Sequence, residues 1–257
     1  MKMYKIALTI AGSDPTGGAG LQADLRTFQR MGVYGLSIPC VLTAQNTGGV
    51  SNILDLPVDF FSDQAGALLK DIRPDALKTG MLHSPDIVEI IAGKIKELSL
   101  ENLVVDPIIA SSTGVALVKE GVSGAVKKFL FPLSKVITPN INEASVLTGM
   151  DIRGETEMKD AAVKLRDYGA ETVIVTGGHL QGKAVDLLFD GEEFLTLENE
   201  RLEGEFHGTG CVFSATVTAC LALGYSIKES FVKANDFTSN AMKTAFFAGK
   251  GMKILNI

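Results

Sequence analysis

A chain of 257 residues that is 46% hydrophobic can bury one large α/β core, and its net charge of −6 argues against a nucleic-acid surface, which would need a basic stripe. No apolar run reaches the about 18 residues of a membrane span, so the expected partner is a small molecule, with no nucleic acid and no membrane. The three cysteines, Cys40, Cys211 and Cys220, are odd in number and lack metal-ligand spacing, which speaks against a disulfide framework and a zinc site and for a reducing, cytoplasmic setting. No linker, low-complexity tract or repeat interrupts the chain, and a single domain over residues 1–257 is expected.

Residues 4–11 form an apolar run of strand length. The stretch of Lys2 and residues 6–12 imitates a weak secretory leader, but it is short, contains Thr9 and runs into Ser13-Asp14-Pro15, so it reads as the first strand. The glycine-rich loop 12–20 then enters a helix whose apolar stripe is Leu21, Leu25, Phe28 and Met31, and Asp24 falls on that stripe. A carboxylate on a buried face needs hydrogen bonds or a partner, so Asp24 is either a site residue or a group that bonds a neighbouring loop. Strands are expected at 34–44, 76–79, 103–105, 135–138 and 172–176, with a small extra strand at 50–56. Helices are expected at 57–71, 85–98, 115–129 and 156–168, with a short one opened by Pro139-Asn140. Segments 184–189 and 193–196, separated by Asp190-Gly191, read as a β-hairpin, and helices at 209–223 and 227–247 finish the chain. Alternating strands and helices imply a mostly parallel sheet covered on both faces.

Glycine, amide or acidic residues follow strand after strand: Gly12, Gln45, Gly80, Asp106, Asn140 with Glu143, and Gly177. In an open parallel sheet these ends share one edge, where ligands bind. The clearest single stretch is His207-Gly208-Thr209-Gly210-Cys211, a glycine turn ahead of a run without charge from Cys211 to Leu223. A helix starting there offers unpaired N–H groups and a positive dipole end to an anion. Taken alone, the same stretch also fits a loop before a core helix.

Together these residues resemble the ribokinase-like family and, within it, the hydroxymethylpyrimidine/phosphomethylpyrimidine kinases of thiamine biosynthesis. The resemblance is carried by Ala11-Gly12-Ser13-Asp14-Pro15-Thr16-Gly17-Gly18-Ala19-Gly20-Leu21-Gln22-Ala23-Asp24, Ala44-Gln45-Asn46-Thr47, Lys78-Thr79-Gly80-Met81-Leu82, Val104-Val105-Asp106-Pro107, Thr138-Pro139-Asn140-Ile141-Asn142-Glu143-Ala144, Thr176-Gly177-Gly178-His179 and His207-Gly208-Thr209-Gly210-Cys211, in the family's order. It implies a three-layer α/β/α sandwich with small edge-strand additions and ATP-dependent phosphorylation of 4-amino-5-hydroxymethyl-2-methylpyrimidine, its monophosphate, or both. It further implies a pyrimidine site of Gly12, Asp24, Gln45, Met81 and Ile108, ATP contacts from Asn140, Thr176, Gly178 and Thr209, and Mg²⁺ near Asp106 and Glu143. Gly208, Thr209, Gly210 and Cys211 would form the catalytic turn. Gln45 can both donate and accept, and Met81 supplies a soft apolar wall. Asn140 also suits a plain helix N-cap.

Where most ribokinase-like sugar kinases place an aspartate base, Cys211 stands here. A thiol at a helix N-terminus is expected to have a lowered pKa and can then act as a base, although a thiolate would repel phosphoryl oxygens; a buried small hydrophobe is the alternative. Thr176 replaces the lysine usual in these kinases, and residues 108–114 also lack one, leaving Lys78 or Lys243 as stand-in cations. Three other readings stay open: pyridoxal kinase on the same scaffold, a non-catalytic pyrimidine-binding or regulatory module, and, with least support because GxGxxG is absent, a Rossmann dehydrogenase. A homodimer or higher homo-oligomer is expected, with segment 50–56 as an edge strand that pairs with another subunit.

Overall fold

A computed structural model describes residues 4–109, 118–178 and 184–257. Eleven strands are described: β1 (Ile6–Ser13), β2 (Tyr34–Asn46), β3 (Gly49–Asp55), β4 (Ala76–Thr79), β5 (Leu103–Val105), β6 (Val136–Ile137), β7 (Thr172–Val175), β8 (Ala184–Phe189), β9 (Phe194–Asn199), β10 (Phe206–His207) and β11 (Lys253–Ile254). Eight described α-helices accompany them: α1 (Gly20–Arg30), α2 (Val58–Asp71), α3 (Pro85–Glu97), α4 (Val122–Ala125), α5 (Ile141–Thr148), α6 (Glu155–Arg166), α7 (Thr209–Ala222) and α8 (Ile227–Lys243).

Nine strands form one sheet in the order β3-β2-β1-β4-β5-β6-β7-β8-β9. Pairing is parallel from β2 through β7, while β3, β8 and β9 join antiparallel at the two edges. Because β1 leads to β2 on one side and lies beside β4 on the other, the direction of winding reverses there and opens a crevice at the carboxyl edge. One face buries Leu8, Ile10, Leu77 and Val105 against Phe61 of α2, Ile91 of α3, Leu147 of α5 and Met158 of α6. The opposite face buries Ala7, Ala76 and Val104 against Phe28 of α1, Phe213 of α7 and Phe231 of α8. The three-layer α/β/α architecture follows from this period-2 alternation within β1, β4 and β5.

Helix α7 is buried all round: every residue from Cys211 to Ala222 is buried, and none carries charge. Its buried hydroxyls find partners, Thr216 donating to the Val212 carbonyl and Thr218 to that of Ser214, while Ser214 Oγ lies 2.8 Å from both the Gly210 carbonyl and Asp106 Oδ2, so a sequence with these polar positions still fits a core.

Several boundaries differ from the sequence expectation. The helix expected at 115–129 begins only at Val122, because Gly121 sits at φ 88 and breaks the backbone path; residues 115–117 lie outside the described residues. After α4 the chain continues as a π-turn over Val126–Leu130 and a 3₁₀ turn ending before Ser134. Helix α8 stops at Lys243 rather than 247, and Phe246 instead bridges Ile254. The hairpin's second strand runs Phe194–Asn199, and the β10/β11 pair was not expected from two-residue segments.

The three thiols are unpaired and buried. Burial pushes Cys40 up to about 12 from 9.0, so the folded chain keeps a proton that the unfolded chain releases above pH 9. Stability is therefore expected to fall as pH rises from 9, this thiol contributing a slope of about 1.4 kcal/mol per pH unit. Urea unfolding between about pH 8.5 and 10.5 should show a shallower decline in Cys40→Ala than in wild type. Equal slopes would remove the thiol as the cause.

Candidate active site

The carboxyl edge of the sheet and the N-terminus of α7 enclose a cavity of about 450 Å³. Its walls include Gly12, Gln45, Met81 and Ile108 at one end, Asp106, Asn140, Glu143 and Thr176 at the other, and the Gly208 to Cys211 turn between them.

The turn cannot be built without glycine. Gly208 has φ +87 and caps α7, and a Cβ there would run into the Gly18 carbonyl of the β1–α1 loop. The turn and the loop are thus in backbone contact, and the first amides of α7 face the cavity without intrahelical partners. At the other end, a Cβ on Gly12 would lie 2.9 Å from Val41 Cγ1 and press on Met81 Cε. The bare backbone there lets Met81 reach the ring-sized end, where its carbonyl accepts from Cys40 Sγ at 2.9 Å.

Asp106, at the end of β5, has its Oδ2 bonded by Ser214 Oγ at 2.8 Å and lies 3.6 Å from Lys78 Nζ. Glu143 and Asn140 form a capping box at the start of α5: Asn140 N donates to Glu143 Oε2 at 2.8 Å, and Glu143 N to Asn140 Oδ1 at 3.0 Å. The N-cap role of Asn140 is real, and the residue lines the cavity as well. Burial, and after it the charge of Asp106, holds the Glu143 carboxyl well above its usual range. Two buried carboxylates that repel one another at a phosphate-sized cavity suit a divalent cation, which would share their charge. Thr138 Oγ1, which lines the same end, is buried with no hydrogen-bond partner among the described residues. The donor set fits Mg²⁺, which takes one or two carboxylates and completes its shell with water and phosphate oxygens; no cluster of three or more potential metal ligands exists among the described residues.

The expectation for Asp24 is corrected. Its carboxylate does not line the cavity but lies beneath it, fully buried, accepting from Thr9 Oγ1 at 2.6 Å and from Lys78 Nζ at 2.6 Å. Lys78 is fully buried too; burial pulls its pKa down, but Asp24 first, then Cys211 and Asp106, outweigh that and hold the ammonium charged. Its Nζ also reaches the Cys211 carbonyl at 3.3 Å, so one cation ties β4, α1, β5 and the first turn of α7 together. Lys78 does stand at the cavity, whereas Lys243 is exposed and does not line it. Gly178 is likewise outside the lining; it is exposed, with its carbonyl accepting from Arg201 at 3.2 Å, while Gly177 N donates to buried Asp186 at 2.9 Å. Burial pushes the Cys211 thiol up to about 12 despite the nearby Lys78, so the expected thiolate is a neutral thiol in the free protein.

Sequence reasoning passed over Asp14, Thr43, His207 and Ser214 as individuals. The legible signal for the buried pair was opposite charges in two apolar runs, Asp24 on the stripe of α1 and Lys78 within β4.

A glycine turn at a helix N-terminus, set across a ring-sized cavity from two buried carboxylates on a doubly wound sheet, defines a small-molecule phosphotransferase of ribokinase-like fold. The family model described as phosphomethylpyrimidine kinase matches residues 14–256, and the chain belongs to that family. It is 42% identical over 254 residues to the hydroxymethylpyrimidine/phosphomethylpyrimidine kinase of Bacillus subtilis (strain 168), covering 98% of this chain and 93% of that one. Among solved structures, an ADP complex of Bacillus subtilis pyridoxal kinase superposes with a TM-score of 0.91 at 40% identity, covering 98% of this chain and 97% of that one. Phosphomethylpyrimidine kinase from Clostridium difficile 630 gives a TM-score of 0.84 at 39% identity, covering 93% and 99%.

Proposed function

We infer that the chain transfers the γ-phosphoryl group of ATP to 4-amino-5-hydroxymethyl-2-methylpyrimidine, to its monophosphate, or to both. The observation that carries this is one continuous cavity joining a ring-sized end at Gly12, Gln45, Met81 and Ile108 to a carboxylate end at Asp106 and Glu143 through the Gly208 turn. The acceptor's hydroxymethyl or phosphate oxygen forms a bond to the γ-phosphorus as the bond to the β-phosphate oxygen breaks, giving ADP, and the proton of the hydroxymethyl group passes to an oxygen of the transferred phosphoryl group or to water. This reaction demands in-line placement and charge stabilisation more than covalent help.

Gln45 and Met81 hold the ring, and the amides of Thr209, Gly210 and Cys211 donate to the transferring group at the positive end of α7. Asn140 and Thr176 border the triphosphate path, and Gly178 follows two residues after Thr176. Asp106 and Glu143 would hold Mg²⁺, which when bound neutralises the phosphate oxygens. In a loose transition state the attacking oxygen keeps its proton late, so a neutral Cys211 thiol beside it acts by contact and hydrogen bonding rather than as a thiolate. With Thr176 in the usual lysine position, Lys78 is the cation among the described lining residues, and it acts through Asp106 and the α7 backbone. Unpaired thiols and use of ATP agree with a cytoplasmic enzyme. Edge strand β3, with Leu54 63% exposed and Phe60 of the following helix 55% exposed, supports a homo-oligomer.

Pyridoxal is the second acceptor that a specific observation favours, since the pyridoxal kinase of Bacillus subtilis shares this fold so closely. A phosphate-acceptor screen with the pyrimidine alcohol, its monophosphate and pyridoxal tests the assignment. Turnover of the two pyrimidines well above that of pyridoxal is expected; a strong preference for pyridoxal would overturn it, and binding without turnover would mark a regulatory module.

A further inference from the structure

The ring end of the cavity contains a hydrogen-bond chain that the transfer mechanism leaves unused. His207, 8% exposed in β10, places Nε2 2.7 Å from Asp14 Oδ2 and 3.0 Å from the Gln45 side-chain amide at Nε2. The other end of that amide, Oε1, lies 3.1 Å from Thr43 Oγ1. An amide's two ends have the same shape, so the protons of the neighbours decide which end is which.

His207 decides it, and Thr43 accommodates the same direction. Asp14 accepts from Thr16 N at 2.8 Å, from Thr16 Oγ1 at 2.9 Å and from Ala19 N at 2.9 Å. Burial alone would raise the Asp14 carboxyl, but the bonds from His207 and Thr16 outweigh it and keep the group ionised. An ionised carboxylate only accepts, so His207 Nε2 carries a proton and cannot accept another from Gln45. Thr43 has one hydroxyl proton and two neighbours in reach, the Ser13 carbonyl at 2.9 Å and the Gln45 amide at 3.1 Å; with the proton on the shorter bond to Ser13, its oxygen accepts from an amide NH₂ on that side. The protonated His207 Nε2 turns the amide so that its carbonyl oxygen faces His207 and its NH₂ faces Thr43, whose hydroxyl accepts while donating to Ser13.

We propose that His207 is a positioning residue: with Asp14 it fixes the polarity of the Gln45 amide, and the fixed amide selects a ring edge carrying an amine beside a ring nitrogen. This rests on the reading that Gln45 meets the substrate ring. The remaining carbonyl lone pair, on the His207 side, accepts from an exocyclic amine. The remaining N–H, on the Thr43 side, donates to the adjacent ring nitrogen. A ring with oxygen in place of the amine sets acceptor against acceptor, and leaves a polar group of the cavity unpaired.

The test has a spectroscopic arm and a binding arm. Long-range ¹H–¹⁵N correlation of the wild-type protein is expected to show His207 protonated on Nε2; a proton on Nδ1 with a bare Nε2 overturns the proposal. Calorimetry then compares 4-amino-5-hydroxymethyl-2-methylpyrimidine with the analogue bearing oxygen in place of its 4-amino group, in wild type, His207→Phe, His207→Gln and Asp14→Asn. Preference for the amine is expected to drop about tenfold in His207→Phe and in Asp14→Asn, and to return in His207→Gln, which keeps a donor. If both affinities fall equally and the ratio holds, His207 is merely structural and the proposal fails while the substrate assignment stands. If wild type binds neither ring, the substrate assignment and the ring-edge selection fall together, and the histidine spectrum alone decides the amide polarity.

Discussion

Replacing Lys78 by methionine is expected to lower the unfolding free energy by about 3–5 kcal/mol, the range for a buried ion pair that loses one partner. The reason is what remains after the ammonium is gone. Asp24 is fully buried and would keep only the Thr9 hydroxyl, and Asp106 would keep only Ser214 among its neighbours in this cluster. A buried carboxylate without a counter-charge must be neutralised or must distort the packing around it. Methionine is close to lysine in length, so the loss is electrostatic and not a matter of volume. The double variant Lys78→Met/Asp24→Leu removes both charges of the pair and is expected to recover most of the loss, since apolar pairs of similar volume often replace buried ion pairs without cost. Urea denaturation of the two variants measures this directly. A single variant within about 1 kcal/mol of wild type, or a double variant no better than the single, would show that the pair does not hold these elements together.

The second large effect is kinetic. Gly208→Ala is expected to reduce kcat by about 10²–10³-fold, as removal of a donor to developing oxyanion charge does. The alanine Cβ meets the Gly18 carbonyl, and φ +87 is strained for any L residue, so the turn and the β1–α1 loop must part. The amides of Thr209 to Cys211 then move off the phosphoryl position. Gly210→Ala is the internal control: a Cβ there meets no heavy atom within 4 Å, and its φ is not positive. It should keep a much larger share of the rate. Steady-state kinetics and thermal melting of both variants separate misplacement from unfolding. A Gly208→Ala rate within about threefold of wild type would remove the turn from the catalytic centre.

Much of the architecture was readable because it is local. Strands such as β1, β4 and β7 are short apolar runs, the intervening helices show their stripes, and polar residues after each strand mark one edge of a parallel sheet. The β10/β11 pair was not readable, because two residues at each site carry no period, and their partners stand 47 positions apart, at 206 and 253. Asp24 was legible as an anomaly but not as to its partner, since only the fold brings Lys78 of β4 under α1. The state of the Cys211 thiol was misjudged for a related reason. A helix N-terminus is visible in sequence, but the depth at which it is buried is not, and burial wins. The direction of the Gln45 amide depends on where Thr43 and His207 place their protons, and the acceptors near those protons are the Ser13 carbonyl and the Asp14 carboxylate, from two distant parts of the chain.

The seating of the catalytic turn has a consequence for how the molecule comes into being. Gly208 rests on Gly18, and the preceding His207 pairs with Ile254 of β11, while Thr47 receives the Gly251 amide through its side chain at 3.0 Å. Two of these contacts, Gly208 with Gly18 and Thr47 with Gly251, join residues 190 and 204 positions apart, and closing such long loops carries a large entropic cost in folding. During synthesis the ring-binding loop leaves the ribosome early and waits for the residues near 254. The contacts of His207 and Thr47 with residues 251–254 are thus completed only once those residues have been made.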